Sequence, residues 1–168
     1  MRPADREGAR ILWRGPLTDP SGYAAGGRAF VRGLWELGAR VRTEPRLWNA
    51  RSALAPADRA LLGTLCDVDL ERIDAHVEHT FPPHAAFDAP ASRRVLRTMF
   101  ETDRIPGPWV DACNGADEVW VPTAHNLDPF PYPGVARPRP PLRPLPFDPH
   151  RPPPPSHSPP LPPAPTPN

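Results

Sequence analysis

The stretch that decides the fold runs from residue 9 to residue 43: A-R-I-L-W-R-G-P-L-T-D-P-S-G-Y-A-A-G-G-R-A-F-V-R-G-L-W-E-L-G-A-R-V-R-T. Ala9 to Arg14 is a short apolar run that predicts a strand, and turn-forming residues follow from Gly15 to Gly22. Tyr23 to Leu37 has apolar residues at helical spacing, and Gly38 is a natural C-terminal stop. Val41 to Thr43 predicts a second strand. Together they form a βαβ unit, which is typical of a parallel sheet.

The chain continues to alternate between strands and helices up to residue 127. The pattern predicts helices over residues 57–65 and 109–116, and strands over residues 73–78, 94–100 and 118–121. We therefore expect an α/β, Rossmann-like parallel sheet with flanking helices over residues 9–127. The apolar face of the first helix, which should pack on this sheet, comprises Phe30, Val31, Leu34, Trp35 and Leu37.

Proline divides the chain into two parts. Thirty of the 168 residues are proline, and 19 of these lie at positions 129–167. Proline lacks a backbone N–H and fixes φ, so neither a helix nor a central strand forms at that density. Residues 128–168 are therefore predicted to be a disordered, proline-rich tail. Its P-x-x-P spacings arise by chance in such a composition, so a dedicated SH3-type ligand is not the favoured interpretation.

Charge and composition exclude several classes of protein. All 20 basic residues are arginine and the 19 acids leave a net charge of +1, which does not favour nucleic acid as a partner. No apolar run approaches the ~20 residues of a membrane span, and the first ten residues lack the apolar core of a signal peptide. We expect a cytoplasmic protein with no integral membrane segment. Cys66 and Cys113 are far apart and are predicted to be two buried thiols.

The first candidate site is the loop from Gly15 to Gly22 with the start of the helix behind it. Free N–H groups and the helix dipole there favour an oxyanion or a sugar hydroxyl, and Gly22 permits a ligand to approach the backbone closely. The loop has neither the Gly-Lys-Ser/Thr of a P-loop nor the G-x-G-x-x-G of a dinucleotide-binding turn. The alternative is an ordinary strand-to-helix turn in which Ser21 caps the helix.

Two further candidates follow the third and fourth predicted strands, because such sheets bind ligands at the carboxyl ends of their strands. His79 is placed to act as an acid, a base or a hydroxyl partner, and the alternative is a structural or solvated histidine. A metal site built from His76, His79 and His84 is not favoured, since positions 76 and 79 of a strand point to opposite faces. Glu101 and Thr102 lie in F-E-T-D-R, which suits contacts to a polyhydroxyl ligand. Alternatively, the charged residues of that segment only pair locally.

Three separate motifs occur in order along the chain: G-P-L-T-D-P-S-G-Y-A-A-G-G-R from residue 15, M-F-E-T-D-R-I-P-G-P-W-V from residue 99, and D-E-V-W-V-P-T-A-H-N from residue 117. In this order and spacing they resemble the N-terminal domain of GT-B glycosyltransferases of the family-4 (group 1) type. The resemblance spans residues 11–126. It is fairly specific for the family and unspecific for the sugar.

The resemblance implies transfer of a glycosyl unit from a nucleotide sugar to a glycan or small-molecule acceptor, with no obligatory metal or other cofactor. In that family two Rossmann-like domains close over the substrates, and the N-terminal domain mostly holds the acceptor. The resemblance assigns no nucleophile or general base in this chain. The residues expected on the acceptor side of the cleft are Gly15, Ser21, Gly22, His79, Glu101 and Thr102.

The chain departs from the family pattern after Asn126, where the donor-binding domain and its Glu-x7-Glu motif have no counterpart. We therefore expect an apparently truncated acceptor-side domain that is inactive alone and self-associates through exposed apolar surface. Two alternatives stay open. One is a non-catalytic binding or scaffold protein whose proline-rich tail engages partners, and the other is a nonfunctional gene fragment.

Overall fold

The computed structural model describes residues 8–48, 52, 54–99 and 105–122. Strands and helices alternate along this part of the chain, as the sequence predicts. The elements are β1 (Arg10–Gly15), α1 (Gly22–Glu36), β2 (Arg40–Pro45), α2 (Pro56–Cys66), β3 (Ala75–His79), a short 3₁₀ turn (Pro82–His84), β4 (Arg94–Arg97), α3 (Gly107–Asn114) and β5 (Glu118–Trp120). The predicted domain of residues 9–127 therefore extends slightly past the described part, and the predicted tail of residues 128–168 lies outside it.

The five strands form one parallel sheet in the order β2-β1-β3-β4-β5. The strand β1 lies between β2 and β3, with Ile11 opposite Val41 on one side and Ala75 on the other. With its three helices, this sheet confirms the predicted α/β, Rossmann-like arrangement. The order is that of the flavodoxin-like class of doubly wound sheets, in which the chain changes direction between β1 and β3.

Each face of the sheet buries its own apolar cluster. On one face, strand residues such as Trp13 and Val77 pack with Val31 of α1 and Leu65 of α2, all at most 2% exposed. On the other face, Leu96 packs with Cys113 of α3. Strand residues alternate between the faces, so the adjacent residues Val95 and Leu96 of β4 belong to different clusters.

The helix α1 begins and ends where local chemistry dictates. Ser21 is its N-cap, and the Ser21 hydroxyl accepts a hydrogen bond of 3.1 Å from the Ala24 N–H, as the turn alternative predicts. Beyond its C-terminal end, Gly38 has φ of +87°, the conformation for which glycine is favoured. The predicted apolar face is wrong at its C-terminal end, where Trp35 is 48% and Leu37 87% exposed. Leu34 still packs against the core, but the helix ends at Glu36, so Leu37 lies beyond its last turn.

The two cysteines differ in their environment. Cys113 is buried, and burial raises the pKa of its thiol to about 11, so the thiol is unreactive near neutral pH. The prediction of two buried thiols is wrong for Cys66, which is exposed at the last residue of α2, with its Sγ 3.3 Å from the Thr43 hydroxyl. Within the described ranges, no helix combines the length and apolar character that a membrane span requires.

Candidate functional site

Two of the predicted site residues, Gly15 and His79, meet between β1 and β3, where the strand order reverses. Gly15 is the last residue of β1 and His79 the last residue of β3, and these two strands are neighbours. A Cβ on Gly15 would lie 2.3 Å from the His79 carbonyl oxygen, and Gly15 has φ of +154°. Only glycine therefore fits at this position. Ligands of doubly wound sheets bind in the crevice outside such a switch point.

The loop between β1 and α1 is held by the protein's own groups. The Ser21 N–H donates to Asp19 Oδ1 at 2.8 Å, and Arg28 Nη1 donates to the carbonyl oxygens of Leu17 and Asp19. Nothing in the described chain lies within 4 Å of a Cβ built on Gly22. The Ser21 hydroxyl is used as the helix cap, and the space beside Gly22 is open. A ligand contact at either residue stays a prediction.

His79 is completely buried between the sheet and α1. Its Nε2 is 2.8 Å from the Tyr23 carbonyl oxygen, and its Nδ1 is 2.8 Å from Nη1 of Arg97. The neutral ring with its proton on Nε2 satisfies both partners, since the carbonyl accepts and the guanidinium donates. Burial, and then the positive charge of Arg97, lower the pKa of His79 to about 4. The ring is thus fully engaged within the protein, and its contact with an acceptor stays a prediction.

Arg97 is a buried cation that sequence reasoning missed. Its residue is 3% exposed, and its guanidinium carbon lies 4.4 Å from the centre of the Phe30 ring. Among the described residues, no carboxylate forms an ion pair with it. Burial lowers the pKa of Arg97 to about 10. One feature of the sequence could have indicated it: Arg97 is the last residue of the short strand R-V-L-R, directly before a loop.

Four aromatic side chains cluster at the same edge of the sheet. Tyr23 contacts Trp48 and Phe81 at ring-centre distances of 4.8 and 5.0 Å, Trp48 stacks on Phe81 at 5.0 Å, and Phe81 contacts Trp109 at 5.8 Å. Sequence reasoning missed this cluster. The four aromatic residues follow β1, β2, β3 and β4 respectively. An aromatic residue after each of these four strands could therefore have predicted the cluster.

An open cavity of about 460 Å³ lies against this cluster. Trp48 and Leu47 on its wall are 37% and 77% exposed. The Thr80 hydroxyl is buried and has no hydrogen-bond partner among the described residues, although hydroxyls in such positions are usually paired. The cavity is lined by Arg46, Leu47, Trp48, Thr80, Phe81 and His84. It therefore offers apolar surface with a few polar groups, the usual character of a small-molecule site.

An ion-pair network lies on the face of the sheet opposite to His79. Arg14 contacts Glu44 at 2.7 Å, Asp88 at 2.6 Å and the fully buried Glu78 at 3.2 Å. No three histidine, cysteine, aspartate or glutamate side chains of the described ranges are grouped so that they would hold a metal ion.

Two predicted site residues, Glu101 and Thr102, lie outside the described residues, as does the end of the third motif from residue 123 onward. The structure thus brings Gly15 and His79 together, places Ser21 and Gly22 at the start of the neighbouring helix, and adds the aromatic cavity. Comparison with known protein families, with curated proteins and with solved structures finds no match to this chain.

Proposed function

We propose that this chain is the acceptor-side domain of a nucleotide-sugar-dependent glycosyltransferase, and that its acceptor binds in the cavity beside Trp48 and Phe81. The observation that carries the proposal is this aromatic-walled cavity at the carboxyl edge of a doubly wound sheet. The three motifs that resemble family-4 GT-B enzymes also support it. They resemble the N-terminal domain of those enzymes, and that domain mostly holds the acceptor.

The chemistry of the cavity suits a sugar. The two faces of a pyranose ring carry C–H groups that pack on aromatic rings, while its hydroxyls seek hydrogen-bond partners at the ring edge. Trp48 and Phe81 supply aromatic surface, and Arg46 and His84 are polar residues on the same wall. The volume of about 460 Å³ lies within the ~300–1,000 Å³ of ordinary ligand sites.

The position of the cavity also supports the proposal. It adjoins the ends of β2 and β3, and the Arg46 N–H that follows β2 donates to the Gly15 carbonyl oxygen at 2.8 Å. An acceptor held there lies next to the loop that precedes α1, whose N–H groups and helix dipole favour an oxyanion or a sugar hydroxyl. Holding two substrates side by side is itself a large part of catalysis.

Binding of simple glycosides to the full chain tests the proposal. We expect the resonances of methyl glycosides at millimolar concentration to broaden in ligand-observed NMR spectra when the protein is added. Phe81→Ala should abolish the effect, because it removes one wall of the cavity. Trp35→Ala is the matched control, since Trp35 is exposed at the other end of α1.

Thermal melts of both variants establish that they are folded before binding is compared. Equal broadening with the wild-type chain and a folded Phe81→Ala variant would place the sugar elsewhere. The absence of any broadening with a series of hexosides would remove the proposal.

A further inference from the structure

We propose that the occupant of the cavity carries an anionic group, a carboxylate or a phosphate, and that Arg46 binds it. This inference rests on the proposed function, because it specifies the acceptor of the same site as an acidic or phosphorylated sugar. It is carried by the charge of the cavity wall and by the way in which Arg46 is held.

The Arg46 side chain is fixed at the wall by groups that lie in different elements. Its Nη1 donates to the His84 carbonyl oxygen at 2.8 Å, and its Nη2 lies 3.4 Å from Glu78 Oε1. A guanidinium has five N–H donors, of which these contacts use two. The side chain is 32% exposed, so part of it is accessible to a ligand. A guanidinium already held in place loses little conformational entropy when it binds.

Among the described residues that line this cavity, Arg46 is the only arginine and none is an acid. Glu78 is fully buried and does not reach the wall. Its Oε1 also contacts Arg14 at 3.2 Å and Nε2 of His76 at 3.1 Å, both closer than Arg46. Arg14 is shared among Glu44, Asp88 and Glu78, so Arg46 belongs to the same ion-pair network. Its contact with Glu78 uses only one of its N–H donors.

The Arg46 guanidinium stands beside an aromatic wall, because Trp48 and Phe81 line the same cavity. Together they fit a ring that bears one anionic substituent. Guanidinium groups bind carboxylate and phosphate in the same forked geometry, so the wall by itself favours both.

The experiment compares three probes on the full chain at low ionic strength: methyl glucopyranoside, methyl glucuronopyranoside and glucose 6-phosphate. We expect at least one anionic probe to bind at least tenfold more tightly than the neutral one. Arg46→Gln should bring that affinity down to the neutral level while leaving the neutral probe unchanged. Arg46→Lys should keep part of the preference, and Arg59→Gln, the same charge change on the exposed face of α2, should keep all of it.

Each outcome decides a separate point. Preference for glucuronoside identifies a carboxylate, preference for the phosphate ester identifies a phosphate, and either supports the inference. Equal affinity for all three probes overturns it and leaves the proposed function standing, whereas no binding of any probe overturns both. If Arg46→Gln does not fold, the salt dependence of the wild-type chain decides. Raising the ionic strength should weaken only the anionic probe, and a salt-independent preference contradicts a role for Arg46.

Discussion

Acid should destabilise this fold through His79. His79 is buried in the neutral form, with a pKa of about 4 against the ordinary 6.5. The unfolded chain therefore binds a proton at pH 5 that the folded chain does not bind. Stability is fully present above pH 6.5 and falls as the pH drops toward 4. Protonation would also place a second cation against Arg97 Nη1, which is 2.8 Å from His79 Nδ1.

The expected size of the effect follows from the difference between the pKa of His79 in the folded chain and its pKa in the unfolded chain. A difference of one in pKa corresponds to about 1.36 kcal/mol, so the whole effect approaches about 3 kcal/mol below pH 4. Between pH 7 and pH 5 the loss is about 2 kcal/mol. That is a large part of the ~5–15 kcal/mol that stabilises a typical domain.

Urea unfolding at constant ionic strength from pH 5 to pH 8 measures the effect. His79→Gln should be less stable at pH 7, because its side chain replaces a ring packed against Tyr23 and Trp13, but its stability should change little between pH 7 and pH 5. His84→Gln, a change at an exposed residue, should keep the wild-type pH dependence. The reasoning fails if wild type and His79→Gln lose the same stability on acidification, since His79 then titrates normally.

Three further outcomes follow from the packing and capping of α1. Gly27→Ala should cost about 1–3 kcal/mol, since its Cβ would lie 3.0–3.1 Å from neighbouring atoms. Gly33→Ala, with nothing within 4 Å of the new Cβ, should instead gain about 0.5–1 kcal/mol, and urea unfolding of both variants checks this contrast. Ser21→Ala should cost about 1 kcal/mol by the same measurement, and no loss would deny its capping role. Leu37→Asp should reduce self-association in sedimentation, because Leu37 is 87% exposed; a monomeric wild-type chain would contradict the expected association.

The order and type of the helices and strands were predictable because they depend on short-range patterns in the sequence. The run of apolar residues in β1, the helical spacing in α1 and the stop at Gly38 each depend on neighbours within a few positions. The same is true of the Ser21 cap, which needs only the N–H of Ala24. Patterns of this kind also predicted the α/β class, since alternating strands and helices have few other ways to bury their apolar faces.

The limits of burial on α1 were not predictable in this way. Trp35 has the helical spacing of a core residue, yet it is 48% exposed, while Tyr23 at the other end is 9% exposed. Periodicity identifies the apolar side of a helix, but it does not show how far along the helix the sheet extends. That length is set by the strands on which α1 packs.

The candidate site was likewise predicted only in part from the sequence. The sequence by itself placed Gly15 and His79 at the ends of predicted strands. It gave Ser21 as a site residue, with a helix cap as the alternative. Only the tertiary structure put β3 beside β1, closed His79 under α1 with Arg97, and gathered Trp48 and Phe81 around one cavity. Strand order and the meeting of side chains from separate loops depend on contacts between residues far apart in the chain, and no local period in the sequence encodes those contacts.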